Sequence, residues 1–454
     1  MRTAIARATD VFRVLFRQSE SHPNTNGVLP KHTLSFAQTH IMFLSKRIPT
    51  WSFHHLLRTS YLLLFLMTAG MPKVLSAKMH LQHADSSLLL GCERDSLYLP
   101  ILSGHRVALF SNQTGIDRRG MHTLDRLLSQ GIQVTTLFGP EHGFRGTADA
   151  GEHVKSSVDE PTGIPIRSLY DGGSSGPSDA IMQEFDILVV DIQDVGLRFY
   201  TYYISMLKLM NRCGQTGKQV VLLDRPNPTG HYVDGPLLED SLHSGVGALP
   251  IPVVHGLTLG ELALMAQGEG WVEHPCKLTV IPCQGYTHHT LYSLPVAPSP
   301  NLPNMRSIYL YASICPFEGT TLSLGRGTKY PFQMYGHPML QGCTFTFTPQ
   351  SMPGAKNPPL LGEECRGVDL TSIPMEEIER WDRIHLEYVI DAYRKMGERS
   401  EFFGKRARFF DLLMGTPRVR EMIIDGASEQ EIRRTWQSDL KRYLKQRKPY
   451  LLYP

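Results

Sequence analysis

Short polar strings, each directly behind an apolar run, carry the side chains of this 454-residue chain that are equipped for acid–base work and anion recognition. In Phe138-Gly-Pro-Glu-His-Gly-Phe-Arg-Gly146, Glu141 stands between Pro140 and His142 with Gly143 next, a tight-turn sequence that holds a carboxyl at the rim of the preceding element. Burial against Phe138 and Phe144 lifts a carboxyl toward the range in which it protonates a glycosidic oxygen, so Glu141 is the candidate general acid. Its competing uses are to cap the next helix or to pair with Arg145. His142 suits a general base, a ligand for sugar hydroxyls or a hydrogen-bonded structural histidine. Asp191 and Asp194 bracket Gln193; carboxylates so placed orient substrate and stabilise positive charge at an anomeric carbon, or equally close Asx turns. Asp224-Arg225-Pro-Asn227 sets a carboxylate, a guanidinium and an amide on a proline-stiffened backbone. That suits anion and hydroxyl recognition, with an internal ion pair as the even alternative. Arg198, Tyr200 and Tyr202 add a cation and two phenols, and Asn112-Gln-Thr-Gly115 an amide. His255 precedes Thr258 and Glu261, which have capping-box spacing.

The runs ahead of these strings must be the elements that position them. Arg106–Ser111, Ile132–Phe138, Asp186–Asp191, Gln219–Asp224 and a short Ile251–Val254 have the composition of strands, with helices between them at 120–130, 178–184, 200–213 and 258–267. Such alternation is the pattern of an α/β fold with a parallel sheet, and open parallel sheets bind ligands beyond the carboxyl ends of their strands. The strings are therefore expected to converge on one cleft in a Rossmann-like domain spanning 81–303. A Pro-rich linker, Pro295–Pro303, closes it. Residues 304–454 are expected to form a smaller α+β domain, with a strand at Thr344–Thr348 and helices at 384–396, 405–414 and 428–446. Its first loops, Phe317-Glu-Gly-Thr-Thr321 and Gly325-Arg-Gly-Thr328, bring Glu318 and Arg326 to the cleft only if this domain closes over the first.

Several chemistries lack their signatures. No G-x-G-x-x-G follows the first strand and no G-x-x-x-x-G-K-[ST] occurs, so nucleotide binding has no support. Gly172–Gly176 is a mobile-tip sequence more than a phosphate cradle. Glu141, His142, Asp191 and His255 lack metal-site spacing, there is no G-x-S-x-G elbow, and no cofactor is expected. A net charge of +3 with scattered Lys and Arg, apart from a basic C-terminal helix ending near Arg447, argues against nucleic acid. Residues 1–80 have the character of a leader. Lys46, Arg47 and Arg58 precede the apolar run Tyr61–Met67, and small residues follow up to Ala77, the order of a signal peptide, with Met42 an alternative start. The run is too short for a stable membrane span, and an exported, periplasmic or extracellular protein is expected. Leu89-Leu-Gly-Cys92 lies too far beyond that run for a lipidation box. Of seven cysteines without C-x-x-C spacing, Cys276 and Cys283 either pair or remain buried thiols.

Taken in order, these strings resemble the NamZ family of exo-β-N-acetylmuramidases over roughly residues 88–454. Those that carry the resemblance are Ser111–Gly115, Phe138–Gly146, Asp191–Tyr202, Leu223–Pro228, His255–Glu261, Pro298–Asn301, Phe317–Thr320, Gly325–Thr328 and the closing Tyr450-Leu-Leu-Tyr453. Leu197 stands where the family pattern suggests a smaller residue, and the N-terminal extension has no family counterpart. The resemblance implies a cleft between a Rossmann-like and a smaller domain, hydrolysis releasing N-acetylmuramic acid from the non-reducing ends of peptidoglycan strands, and Glu141 as the suspected acid. A second carboxylate is then expected from Asp191 or Asp194, ahead of Glu318, with Asn301 among the cleft's amides. The lactyl carboxylate of such a substrate calls for a guanidinium, and Arg198, Arg225 and Arg326 are the candidates. The alternative is a non-catalytic protein that binds cell-wall muramyl saccharides in the same cleft.

Overall fold

The computed structural model describes residues 81–84, 87–140, 143–144, 156–169, 173 and 176–454, so the expected leader lies outside them. The strands are β1 (Gln82–His83), β2 (Arg106–Ser111), β3 (Gln133–Phe138), β4 (Ser157–Val158), β5 (Pro165–Arg167), β6 (Ile187–Asp191), β7 (Gln219–Leu223), β8 (Asp234–Leu237), β9 (Pro252–Val254), β10 (Lys277–Ile281), β11 (Thr290–Leu291), β12 (Met334–His337), β13 (Phe345–Phe347) and β14 (Cys365–Asp369). The helices that follow or separate them are α1 (Asp95–Leu102), α2 (Thr123–Ser129), α3 (Asp179–Met182), α4 (Tyr202–Gln215), α5 (Leu259–Gly268), α6 (Met305–Ile314), α7 (Met375–Ile378), α8 (Glu387–Lys395), α9 (Ser400–Phe403), α10 (Ala407–Met414), α11 (Arg418–Ile424), α12 (Glu429–Arg434) and α13 (Gln437–Gln446).

The central sheet runs β10-β7-β6-β2-β3-β5-β4, parallel throughout except for β4 against β5. Alternate residues of its middle strands enter separate cores: Ala108, Phe110, Leu188 and Val190 on one face, Val107, Leu109, Ile187 and Val189 on the other. A sheet covered on both faces needs apolar residues at every position, hence continuous runs and no alternation. Helix α4 buries Tyr203, Met206, Leu209, Met210 and Cys213, the stripe that 3.6-residue periodicity puts on one side. The chain steps from β2 through β3 to β5 in one direction, then from β6 through β7 to β10 in the other. The order thus reverses between β2 and β6, where a parallel sheet leaves a crevice at its carboxyl edge.

The strand expected at Ile251–Val254 is not part of this sheet. It forms β9, antiparallel to β8, and Lys277–Ile281 takes the edge beside β7 instead. Pro252 lacks the N–H that an interior strand donates, and the mixed Lys-Leu-Thr-Val-Ile run is only half covered, as befits an edge. The helix expected over 428–446 breaks into α12 and α13 around Trp436, whose buried indole donates to Asp234 at 3.1 Å while Arg433 binds the same carboxylate at 2.8 Å. The smaller C-terminal part combines the antiparallel sheet β12-β14-β13 with helices α7–α13. One buried cluster runs from Phe110 through Tyr311 and Phe317 to Tyr443, joining this part to the sheet. Arg447, at the end of the basic helix, is turned inward and donates to the Gly256 carbonyl at 2.7 Å. All seven cysteines are thiols, Cys276 and Cys283 included. Among the described residues no helix is long and apolar enough to cross a membrane.

Candidate functional site at the sheet switch point

The ends of β2 and β6 meet at the crevice, and most of the polar side chains there are held by one another. Asp191, wholly buried, accepts from Arg225 Nε at 2.6 Å and Nη2 at 2.9 Å, and from the Thr123 hydroxyl. Arg225 Nη2 also donates to the Ile116 carbonyl at 2.9 Å. Both groups were expected to meet substrate; their valences are taken up in a dry ion pair that ties the β6 and β7 loops together. Asn112 accepts from the backbone and side chain of Thr114 and donates to Tyr202 Oη at 3.2 Å. Gln193 donates to the carbonyls of Asp194 and Pro226. Asn227 closes an Asx turn on Thr229 and donates to Leu257 O at 2.8 Å. These amides are bonded within and between the loops whose shape they hold.

Two further candidates are also held by the protein itself. The Arg198 guanidinium is fully buried and donates from Nη1 and Nη2 to three carbonyls, of Pro236, Ile251 and Leu413, which staples the β8–β9 pair to α10, while its Nε has no partner among the described residues. Asp224 accepts from Thr258 Oγ1 at 2.7 Å, Gly260 N at 2.8 Å and Tyr453 Oη at 2.6 Å. Burial pushes its carboxyl up to about 6 against those three donors. Tyr453 is a residue that sequence reasoning missed as a partner: 229 positions downstream, it stitches the chain's end onto β7. The capping box of Thr258 and Glu261 opens α5, as the spacing implied, and His288 Nε2 donates to the same glutamate at 3.1 Å.

Asp194 differs from its neighbours. Its Oδ1 accepts from Gly196 N at 2.7 Å, but the buried Oδ2 has no partner among the described residues. Burial lifts this carboxyl to about 7, with the Gly196 and Val195 amides pulling the other way. Tyr200 lies within its electrostatic reach, and Tyr200 and Tyr202, with ring centroids 4.5 Å apart, both donate to the Pro298 carbonyl at 3.1 and 2.7 Å. Gln113 Nε2 donates to that carbonyl at 3.2 Å. The expected linker is therefore pinned across the switch point, and Asn301 extends the anchorage by donating to Gly354 O at 3.1 Å. His255 accepts from Leu257 N on Nδ1, and its buried Nε2 has no partner among the described residues. Burial, with Arg447 and Arg198 nearby, drops it to about 3, so it is an uncharged donor at neutral pH.

Glu141, His142 and Arg145 lie outside the described residues. The described flanks of their string reach the site: Pro140 O accepts from Gly143 N at 2.9 Å, and Phe144 packs edge-on to His122, whose Nε2 bonds Asn112 O at 2.8 Å. Glu318 and Arg326 form an ion pair beside a cavity in the C-terminal part. They connect to the switch point through Tyr311 on α6, whose ring meets Phe332 at 4.7 Å and Tyr200 at 6.4 Å. Nothing in the spacing of Tyr311 announced that bridge. Among the described residues, no three His, Cys, Asp or Glu side chains are grouped to hold a metal.

Two family models match the chain: "Exo-beta-N-acetylmuramidase NamZ, N-terminal" over residues 107–306 and its C-terminal counterpart over 309–453. The chain belongs to the NamZ family. It is 36% identical over 373 residues to the peptidoglycan β-N-acetylmuramidase NamZ of Bacillus subtilis, an alignment that covers 78% of this chain and 89% of that one. Two solved structures from Bacteroides fragilis, both described as DUF1343 family proteins, share the fold. One is 53% identical with a TM-score of 0.74, covering 82% of this chain and 99% of its own. The other is 27% identical with a TM-score of 0.67, covering 82% and 100%. The family's N-terminal match contains the switch-point strings, and its C-terminal match contains Glu318, Arg326 and the Tyr453 stitch.

Proposed function

We propose that this chain is a peptidoglycan β-N-acetylmuramidase that works from glycan ends and releases N-acetylmuramic acid. The observation that carries this reading is a member of this family keeping one carboxyl, Asp194, buried and open on one oxygen at the switch point of its sheet. Glycoside hydrolysis needs a proton donor for the departing oxygen and a second carboxyl for the cationic centre that forms as the bond breaks. Glu141, in the Pro-Glu-His-Gly string that follows β3 in the sequence, is assigned the donor role. Asp191 is spent on Arg225, so Asp194 takes the second role, and its displacement from the usual carboxylate range reflects the low-dielectric setting in which such charge stabilisation is strongest. Reaction by this pair requires water and no cofactor.

The strand order supports a Rossmann-like reading of the sheet, with the two matched segments as its lobes. A wall polymer as substrate also supports export by the basic, apolar and small-residue leader of residues 1–80. Mass spectrometry of products from a defined muramyl–glucosaminyl fragment tests the activity: free N-acetylmuramic acid is expected, and saturable binding without product identifies a binding protein instead. Glu141→Gln is expected to lower turnover by about 10²- to 10⁴-fold with an unchanged circular dichroism spectrum; retained turnover removes Glu141 from the donor role.

A further inference from the structure

We infer that a cavity of about 180 Å³ in the C-terminal part is the subsite for the 3-O-lactyl arm, the feature that separates a muramic from a glucosamine residue; this rests on the proposed muramidase reading. Three guanidiniums were candidates for the arm's carboxylate. Arg198 and Arg225 are buried, the one on three carbonyls and the other on Asp191, whereas Arg326 lines a cavity. Its Nε and Nη2 both donate to a single oxygen of Glu318, at 2.9 and 2.5 Å, and Nη1 has no acceptor among the described residues. The other Glu318 oxygen has only the Cys315 thiol, at 4.0 Å. Arg406, exposed at the mouth, donates one bond to the Glu318 carbonyl at 3.2 Å and has its remaining donors toward solvent.

The rest of the lining is mostly apolar, Leu322, Leu324, Pro359 and Phe409, with Thr320 as the exception, its hydroxyl donating to the Phe317 carbonyl at 2.7 Å. A methyl-bearing carboxylate matches that division, its methyl against the leucines and its charge against the two guanidiniums. The volume equals about six waters at ~30 Å³ each, enough for a short acidic arm and too little for a disaccharide.

The backbone around the cavity is strained, an independent sign of a built site. Phe332 and Leu360, both at φ 59°, are the two non-glycine residues with positive φ among those described. One lies under the Arg326 guanidinium at 5.0 Å, and the other follows Pro359 in the wall. Such conformations cost about 1–3 kcal/mol each and persist where surrounding structure enforces them. Arg326 itself is presented between Gly325 and Gly327, at φ 81° and 78°, a left-handed backbone that side chains resist. Three buried rings in series, Phe332, Tyr311 and Tyr200, with centroids 4.7 and 6.4 Å apart, link the Arg326 side of the cavity to the neighbourhood of the Asp194 carboxyl.

The test is calorimetric binding of N-acetylmuramic acid and of its lactyl methyl ester, which removes the charge and keeps the shape. The wild type is expected to bind the acid about 10- to 100-fold more tightly, the range of a charge-assisted hydrogen bond. Arg326→Gln is expected to bring that ratio near unity. A wild-type ratio near one, or a ratio preserved in R326Q, overturns the subsite. If R326Q does not fold, Arg406→Gln at the exposed mouth decides, with at least about a threefold fall in the ratio expected and an unchanged ratio counting against the proposal. Release of N-acetylmuramic acid from the glycan fragment is scored separately: its failure sinks the muramidase reading, and a failed ratio alongside intact release sinks only the subsite.

Discussion

Two carboxylate–arginine pairs stand in this molecule under opposite conditions. Asp191 and Arg225 have side chains 0% and 2% exposed; both carboxylate oxygens and the guanidinium's Nε and Nη2 are taken up by each other, Thr123 and Ile116. Glu318 and Arg326, at 21% and 19%, share one oxygen and leave a carboxylate oxygen and a guanidinium edge facing a cavity. The first pair repays its desolvation only through complete mutual bonding, so it serves as a brace between two loops. The second keeps valence in reserve, which is what ligand recognition requires. Asp194 sits between these extremes, buried like the brace yet open like the cavity pair.

The largest effect expected from this contrast is on stability at the brace. Asp191→Ala strands the Arg225 guanidinium in a dry interior and should cost about 3–5 kcal/mol in urea unfolding. Asp194→Asn should do the reverse of that, sparing the fold and lowering turnover by about 10²-fold. Its signature is in pH. The folded-state carboxyl is raised to about 7, so folding favours the protonated form. The stability this carboxyl contributes is therefore full below about pH 4 and is lost as pH climbs from about 4 to about 7, by up to about 4 kcal/mol. D194N should lack that decline and be the more stable protein at pH 8. Since the proposed role needs the ionised form, kcat/KM of the wild type should rise through about pH 7, and an identical limb in D194N would count against Asp194.

How far this contrast was legible beforehand depends on the distance over which partners are supplied. The four central strands declared themselves because burial on both faces demands unbroken apolar runs, as in Ile187–Asp191. β10 did not, since an edge strand tolerates Lys277 and Thr279, and Pro252 disguised a short antiparallel strand as a parallel one. At the site, the strings were correctly gathered at strand ends, but Asp191 and Asp194 are the same residue type three positions apart. What separates them is Arg225, 34 residues away, and Thr123, 68 residues away. No spacing rule encodes a pairing over such separations. The internal partners of Arg198 and Arg225 were hidden for the same reason, because a guanidinium's carbonyl or carboxylate partners come from other loops. The Pro-rich stretch looked like a linker because proline content reports stiffness and says nothing of the phenols that bind the Pro298 carbonyl.

Tyr453→Phe extends the contrast to Asp224, a carboxyl that is buried and saturated like Asp191 but braced by neutral donors. Losing one of three should cost about 1–3 kcal/mol by urea unfolding, most at high pH, where the carboxyl displaced to about 6 is ionised and needs every donor. A cost larger than that of Asp191→Ala would place the main brace at the chain's end and not at the ion pair.

The smallest expected effect is at the cavity. In Glu318→Gln the amide oxygen can still accept from Arg326, and the pair's partial exposure lets solvent screen what is lost, so thermal unfolding should reveal a change of about 1 kcal/mol or less. The variant should nevertheless alter muramic acid binding, because freeing Arg326 from its carboxylate raises the positive charge the cavity presents and tightens the acid relative to its methyl ester. A destabilisation comparable to that of the Asp191 variant would mean that both pairs are braces and that the reserve of valence at Glu318 is incidental.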